Sequence, residues 1–265
     1  MKKPDRDEQF ISGIHNYCDR WCERCAFTAR CQSYAMEREQ DERSGPAEGL
    51  NDAFWKRLET SLQNSKDMIT RLAQEQGISP DSLEAAQIGH EEDARQEAAE
   101  SHPLAQAAMR YSEMVEEWFT SSETALRDRE EEFLAQARLG IASVNEEVAS
   151  ITDVVEILRW YQDQIYVKLV RSLESDPAYE AESRQPKDSD GSAKVALIAM
   201  DRSIAAWLRM KDFFPDQIDS VLNQLVHLDR LRQSVEKQFP NARSFIRPGF
   251  DTGDSPVPPG AGSEG

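Results

Sequence analysis

The sequence predicts an all-α protein: an antiparallel bundle of about five long helices, preceded by an N-terminal cysteine-rich, metal-binding segment. Three observations carry this. Apolar residues recur at spacings of three and four through most of the chain, the period of a helix face. Charged residues make up 30% of the 265 positions, against only 12 Gly and 12 Pro, a balance that favours long amphipathic helices over a β-fold. All 4 cysteines fall between Cys18 and Cys31.

That segment reads Cys-Asp-Arg-Trp-Cys-Glu-Arg-Cys-Ala-Phe-Thr-Ala-Arg-Cys, a C-x3-C-x2-C-x5-C spacing with His15 just upstream. On a helix turning about 100° per residue, His15, Cys18, Cys22 and Cys25 share one face, and a bend after Cys25 brings Cys31 round. Four thiolates, or three with the imidazole of His15, suit tetrahedral zinc. An iron–sulfur cluster held by Cys18, Cys22, Cys25 and Cys31 fits equally at this stage. The softer sulfur favours Cys31 over His15 as the fourth ligand. Arg20, Arg24 and Arg30 would offset the thiolate charge, while Trp21 and Phe27 would shield the site. C-x3-C-x2-C is also the radical-SAM spacing, but the alternating strands and helices of that barrel are missing from the pattern.

Lys and Arg number 31 against 49 Asp and Glu, a formal charge of -18. Such a surface repels phosphate backbones and anionic membranes, so neither nucleic acid nor membrane is an expected partner. Met1–Phe10 lacks the apolar core of a signal peptide. No apolar run approaches the roughly 20 residues of a membrane span. The expected location is the cytoplasm, where clustered cysteines stay reduced and bind metal more often than they pair.

The elements follow in order. The segment over residues 7–38 is expected to begin as a helix and turn at the metal, and Asp41–Gly49 reads as a polar hinge. From Asn51 to Gly77, Trp55, Leu58, Leu62, Ile69 and Leu72 form a helix-pairing seam broken by Ser65. Ser79-Pro80-Asp81 opens a short helix, and His90 to Ser101 reads as a loose, solvated connection. Pro103 suits a helix first turn. Apolar positions from Leu104 to Ala137 keep one period, with Gly140 a bend or break, and Val144 to Leu173 is apolar on most sides, as in a central helix. After a polar connection over 175–190, a helix starts at Gly191 or Ser192 and continues through Val195–Met210. Pro215 restarts a last helix with Ile218, Val221, Leu222, Leu225, Leu228, Val235 and Phe239 on its core face, ended by Pro240. The Gly-, Pro- and Ser-rich stretch Asp251–Gly265 reads as a disordered tail. These divide the chain into a metal-binding segment (1–45), a helical bundle (46–250) and a tail (251–265).

Other chemistries fail on their residues. Di-iron sites need Glu-x-x-His, and the positions three before His15, His90, His102 and His227 are Ser12, Gln87, Ala99 and Gln224. Ala94 replaces the second histidine of a metalloprotease pattern beginning at His90. Asp188-Ser-Asp-Gly191 starts like a calcium loop, yet Ala199 stands at its last ligand position. It reads instead as a turn with a cap at Asp190 or Ser192, or as an anion site at a helix start aided by Lys187 and Lys194.

Tyr17-Cys-Asp-Arg-Trp-Cys-Glu-Arg-Cys25, Pro186-Lys-Asp-Ser-Asp-Gly-Ser-Ala-Lys-Val195 onward to Trp207, and Phe245-Ile-Arg-Pro-Gly-Phe250 together resemble an uncharacterised family of bacterial helical proteins. The resemblance spans most of the chain and implies no activity. With one clustered site and no acid/base constellation, the leading expectation is a non-catalytic, metal-stabilised interaction protein with protein partners. The rival is an iron–sulfur redox protein or enzyme using the same four cysteines.

Overall fold

The computed structural model describes residues 9–44, 83–140, 144–175 and 187–252, with helical positions at 63, 66–68, 70, 71 and 75. Its α-helices are α1 (Gln32–Ser44), α2 (Leu83–Ser101), α3 (Pro103–Ser121), α4 (Glu123–Arg138), α5 (Val144–Glu174), α6 (Asp188–Phe213) and α7 (Ile218–Gln238). No strand occurs among the described residues, and the protein is all-α. No helix there is long and apolar enough to cross a membrane.

The core forms where α5 lies along α6, with α3 beside α5 and α7, and α7 beside α6. Helix α3 starts at Pro103, and the Nδ1 of His102 accepts the Leu104 N–H at 3.2 Å, so an imidazole serves as its cap. Leu104, Ala108, Tyr111, Val115 and Trp118 then bury one helical stripe. Helix α6 presents Ala193, Ala196, Ala199 and Ala206, all buried, which lets its backbone approach its neighbours. The larger Trp207 lies fully inside, edge-on to Trp118 at 5.2 Å. Its indole N–H donates to the Tyr111 hydroxyl at 3.0 Å, and the indole of Trp118 donates to Ser220 at 3.1 Å. Burial of each such side chain stabilises the fold by roughly 1.5–3 kcal/mol, and these hydrogen bonds keep the two N–H groups from being stranded.

Several sequence expectations need correction. The stretch His90 to Ser101 is part of continuous helix α2, mostly solvated but anchored by buried Ala99. The run from Leu104 to Ala137 is two helices, because the chain breaks at Ser122, whose hydroxyl donates to the Gln217 side chain at 2.6 Å. Helix α6 starts at Asp188, ahead of Gly191. Lys194, one of the two cations expected at an anion site there, instead donates from Nζ to the Phe245 carbonyl at 2.5 Å and to Asp251 at 2.7 Å. Asp251 is therefore docked; residues 253–265 lie outside the described residues. Helix α1 runs on to Ser44, into the expected hinge. The seam residues Trp55, Leu58, Leu62, Ser65, Ile69 and Leu72 also lie outside the described residues.

In α7 the predicted core face holds at Val221, Leu225, Leu228, Val235 and Phe239 but is narrower than expected at its N-terminal edge. Ile218 and Leu222 are 42% and 45% exposed, whereas Val221, Gln224, Leu228, Leu231 and Val235 are buried. Gln224 is admitted because its Nε2 donates to the Met114 carbonyl at 2.8 Å. Paired substitutions check this margin. Leu228→Ala should cost about 2–5 kcal/mol in urea denaturation, and Leu222→Ala should stay within about 0.5 kcal/mol of the parent.

Candidate metal centre

The cysteine segment is built from 3-10 turns. Gly13 (φ 72°) opens the first, Ile14–Tyr17, which ends at Cys18 in an extended conformation. Arg20, with φ 59°, reverses the chain in the left-handed region. The second turn, Cys22–Arg24, closes with the Cys25 N–H on the Cys22 carbonyl at 3.1 Å. The third, Thr28–Arg30, closes with the Cys31 N–H on the Thr28 carbonyl at 3.2 Å. The expected single helical face through His15, Cys18, Cys22 and Cys25 is therefore absent. Side chains three apart eclipse in such turns, which aligns His15 with Cys18 and Cys22 with Cys25. Chain reversals bring the four cysteines to the rim of one pocket without gathering them into a ligand set.

Cys18, Cys22, Cys25, Cys31 and His15 all line one cavity of about 20 Å³, with Tyr34 and Phe250 among the other walls. The four thiols are free and half-buried. They rim the cavity without closing on its centre: among the described residues, no three His, Cys, Asp or Glu side chains stand together as a ready ligand set. The Cys18 thiol donates to the His15 carbonyl at 3.4 Å. The Cys25 sulfur accepts the Phe27 N–H at 3.4 Å, a contact that favours thiolate at that position.

Burial pushes the Cys22 thiol up from 9.0 to about 11, helped by the charges of Cys18, Cys25, Glu37 and Cys31. Burial also raises Cys25, with Cys18, Asp19 and Cys31 adding to the effect and the Phe27 N–H opposing it. Gathering four thiolates in one place is thus resisted by their mutual repulsion, which a bound cation would relieve. Sequence reasoning missed a further nearby charge, Lys168 of α5. It is only 6% exposed. Burial lowers its pKa, while the charge of Cys18 acts the other way. Its position in an apolar stretch of α5 disguised it, since a single lysine there gives no sequence signal.

The segment has no ladder of its own and is held by side chains. Asp19 accepts from Tyr161 (2.7 Å), Arg202 (2.7 Å) and the Trp21 N–H (3.2 Å), while its carbonyl accepts from the Trp160 indole at 3.0 Å. Trp21 stacks on Trp160 at 5.0 Å, and Arg24 covers its ring at 4.1 Å. On the other side, Tyr17 donates to Asp188 at 2.9 Å, and Arg171 donates to both Asp188 (3.0 Å) and the Asn16 carbonyl (3.2 Å). The rings of Tyr17 and Phe245 meet at 4.7 Å over Gly191. The three sequence stretches singled out above therefore converge at one point. Comparisons with protein-family models, curated proteins and solved structures found no match.

Two expectations follow. A Cβ at Gly191 would lie 2.4 Å from the Tyr17 ring and 2.7 Å from Phe245. Gly191→Ala should therefore cost about 1–3 kcal/mol and speed reaction of the four thiols with Ellman's reagent; unchanged thiol reactivity would show that the rings move without loosening the segment. The second concerns pH. Folded Cys22 holds its proton to about 11, whereas the unfolded chain gives it up near 9.0. Its contribution to metal-free stability is complete below pH 9.0 and is lost as pH rises towards 11. Denaturation curves across that window should be flatter for Cys22→Ser than for the parent.

Proposed function

We propose that this chain is a metal-stabilised, non-catalytic interaction protein in which Cys18, Cys22, Cys25 and Cys31 hold one zinc ion. The observation that carries the reading is that four thiols from separate turns, though not yet within ligand distance of one another, all line the rim of one cavity of about 20 Å³. That space suits a single small species, being little more than one water occupies. A cluster of several irons and sulfides would need a wider opening. The donor set fits zinc in kind and number, and the sulfurs would draw inward to bind it. The N–H contact to Cys25 and the buried charge of Lys168 support an anionic thiolate site. When bound, zinc supplies a crosslink between turns that otherwise have no ladder.

In this reading the helices form an antiparallel bundle that presents an acidic surface to a protein partner in the reducing cytoplasm. The crosslink keeps Trp21 and Tyr17 docked, so metal loading and the shape of that surface go together.

Metal analysis of anaerobically purified protein tests the proposal. One zinc per chain in colourless protein is expected; a brown protein with stoichiometric iron and sulfide would overturn zinc in favour of a redox cluster. Cys31→Ala should release the metal and unfold the segment around Cys18–Cys31 while the far-ultraviolet helical signal persists, and His15→Ala should leave one zinc bound. Loss of metal on His15→Ala alone would replace Cys31 by the imidazole in the shell.

A further inference from the structure

Beside the cysteine cavity lies a second and much larger one, of about 430 Å³. Pockets for small organic ligands run to roughly 300–1,000 Å³, so this one has the capacity for such a molecule. It forms where the cysteine segment meets α5, α6 and the C-terminal segment. Four rings, Trp21, Phe27, Tyr161 and Phe250, line it together with Ile157. Phe27 and Phe250 pack edge to face at 5.2 Å and hold each other in place. Trp21 is fixed by its stack on Trp160 and lies under Arg24, which leaves Phe27 and Phe250 to meet a flat ligand. The apolar walls are therefore rigid aromatic surfaces, which suit a flat ligand.

The polar lining is sparse. The carboxylate of Asp19 is already met by Tyr161, Arg202 and the Trp21 N–H. Arg24 spends both terminal nitrogens on Asp153 and Glu156. Arg202 is different. It touches Asp19 and Tyr161 through Nη1 alone, and its side chain is 52% exposed. Its Nη2 and Nε make no hydrogen bond among the described residues. A guanidinium with two N–H groups to spare is suited to grip a carboxylate or sulfonate in a two-point contact.

We propose that this cavity binds a small planar aromatic acid, its ring against Phe27 and Phe250 and its anionic group on Arg202. The proposal does not rest on which metal occupies the cysteine cavity, but Asp19, Trp21, Cys25 and Phe250 line both cavities and couple the two sites.

The test is fluorescence titration of the full-length protein with 1-anilinonaphthalene-8-sulfonate, an aromatic anion, and with dansylamide, a neutral aromatic of similar size. Saturable binding of one anion per chain is expected, tenfold or more tighter than that of dansylamide. Arg202→Gln should weaken the anion at least tenfold and dansylamide little. Ile157→Trp, which narrows the cavity and leaves the Arg202–Asp19 pair in place, should weaken both at least tenfold, with the helical circular dichroism of each variant checked. Should Arg202→Gln fail to fold, Ile157→Trp decides alone. Unsaturable binding, or saturable binding of unchanged affinity in Ile157→Trp, would overturn the site. Equal affinity for the two probes would overturn the acid as its ligand.

Discussion

The structure around the candidate centre depends on one carboxylate. Asp19 sits in the middle of a segment with no α- or β-ladder, and it collects a phenol, a guanidinium, a backbone N–H and, through its carbonyl, an indole. Those donors come from α5, α6 and the segment itself. Hydrogen bonds to a charged acceptor contribute about 1.5–3 kcal/mol each, more than an isolated 3-10 turn can supply. Without that anchor, the reversal at Arg20 would have nothing to hold it in the left-handed region. The position of Cys18 and Cys22 on either side follows from where Asp19 is tied.

A second anchor is steric. Gly191 lies within the first turn of α6, where an absent side chain leaves room for the rings of Tyr17 and Phe245. Gly249, at φ 77°, plays a matching part under Ile14, the most deeply buried residue of the cysteine segment at 2% exposure. A positive φ and a close approach both select glycine there. Between them, these glycines let the N-terminal and C-terminal segments lie against one end of α6. Asp251 seals the arrangement: Arg247 and Lys194 hold its carboxyl well below the usual carboxylate range against the opposing effect of burial.

The electrostatics of the thiols run against their placement. Burial and mutual repulsion keep Cys22 and Cys25 protonated, and the overall charge of -18 makes any further negative charge harder to gather. A cation bound among these thiols, as proposed above, would remove part of that repulsion. The buried ammonium of Lys168 supplies some of that compensation in advance. The same segment contributes one wall to the aromatic cavity, so its docking positions both features.

The sequence by itself determined the helical class, the start of α3 at Pro103, the stripe of α3 and the identity of the clustered thiols; Pro215 opens only a 3-10 turn, and the final helix begins at Ile218. Each of these is a local matter: a period of 3.6 residues, a ring that fixes φ, or several soft ligands in a short span. Only the tertiary structure decided the rest. Periodicity leaves the edges of a stripe open, so the margin of the α7 face was set by its neighbours, which admit Gln224 and leave Leu222 in solvent. The helical spacing of His15, Cys18, Cys22 and Cys25 was coincidental, because Asp19 and Trp21 gain more from docking on α5 than the segment would gain from a helix ladder. The convergence of Tyr17, Gly191 and Phe245, and the burial of Lys168 near Cys18, link residues far apart in the chain. No local pattern encodes such pairs, since they exist only once separate helices have packed.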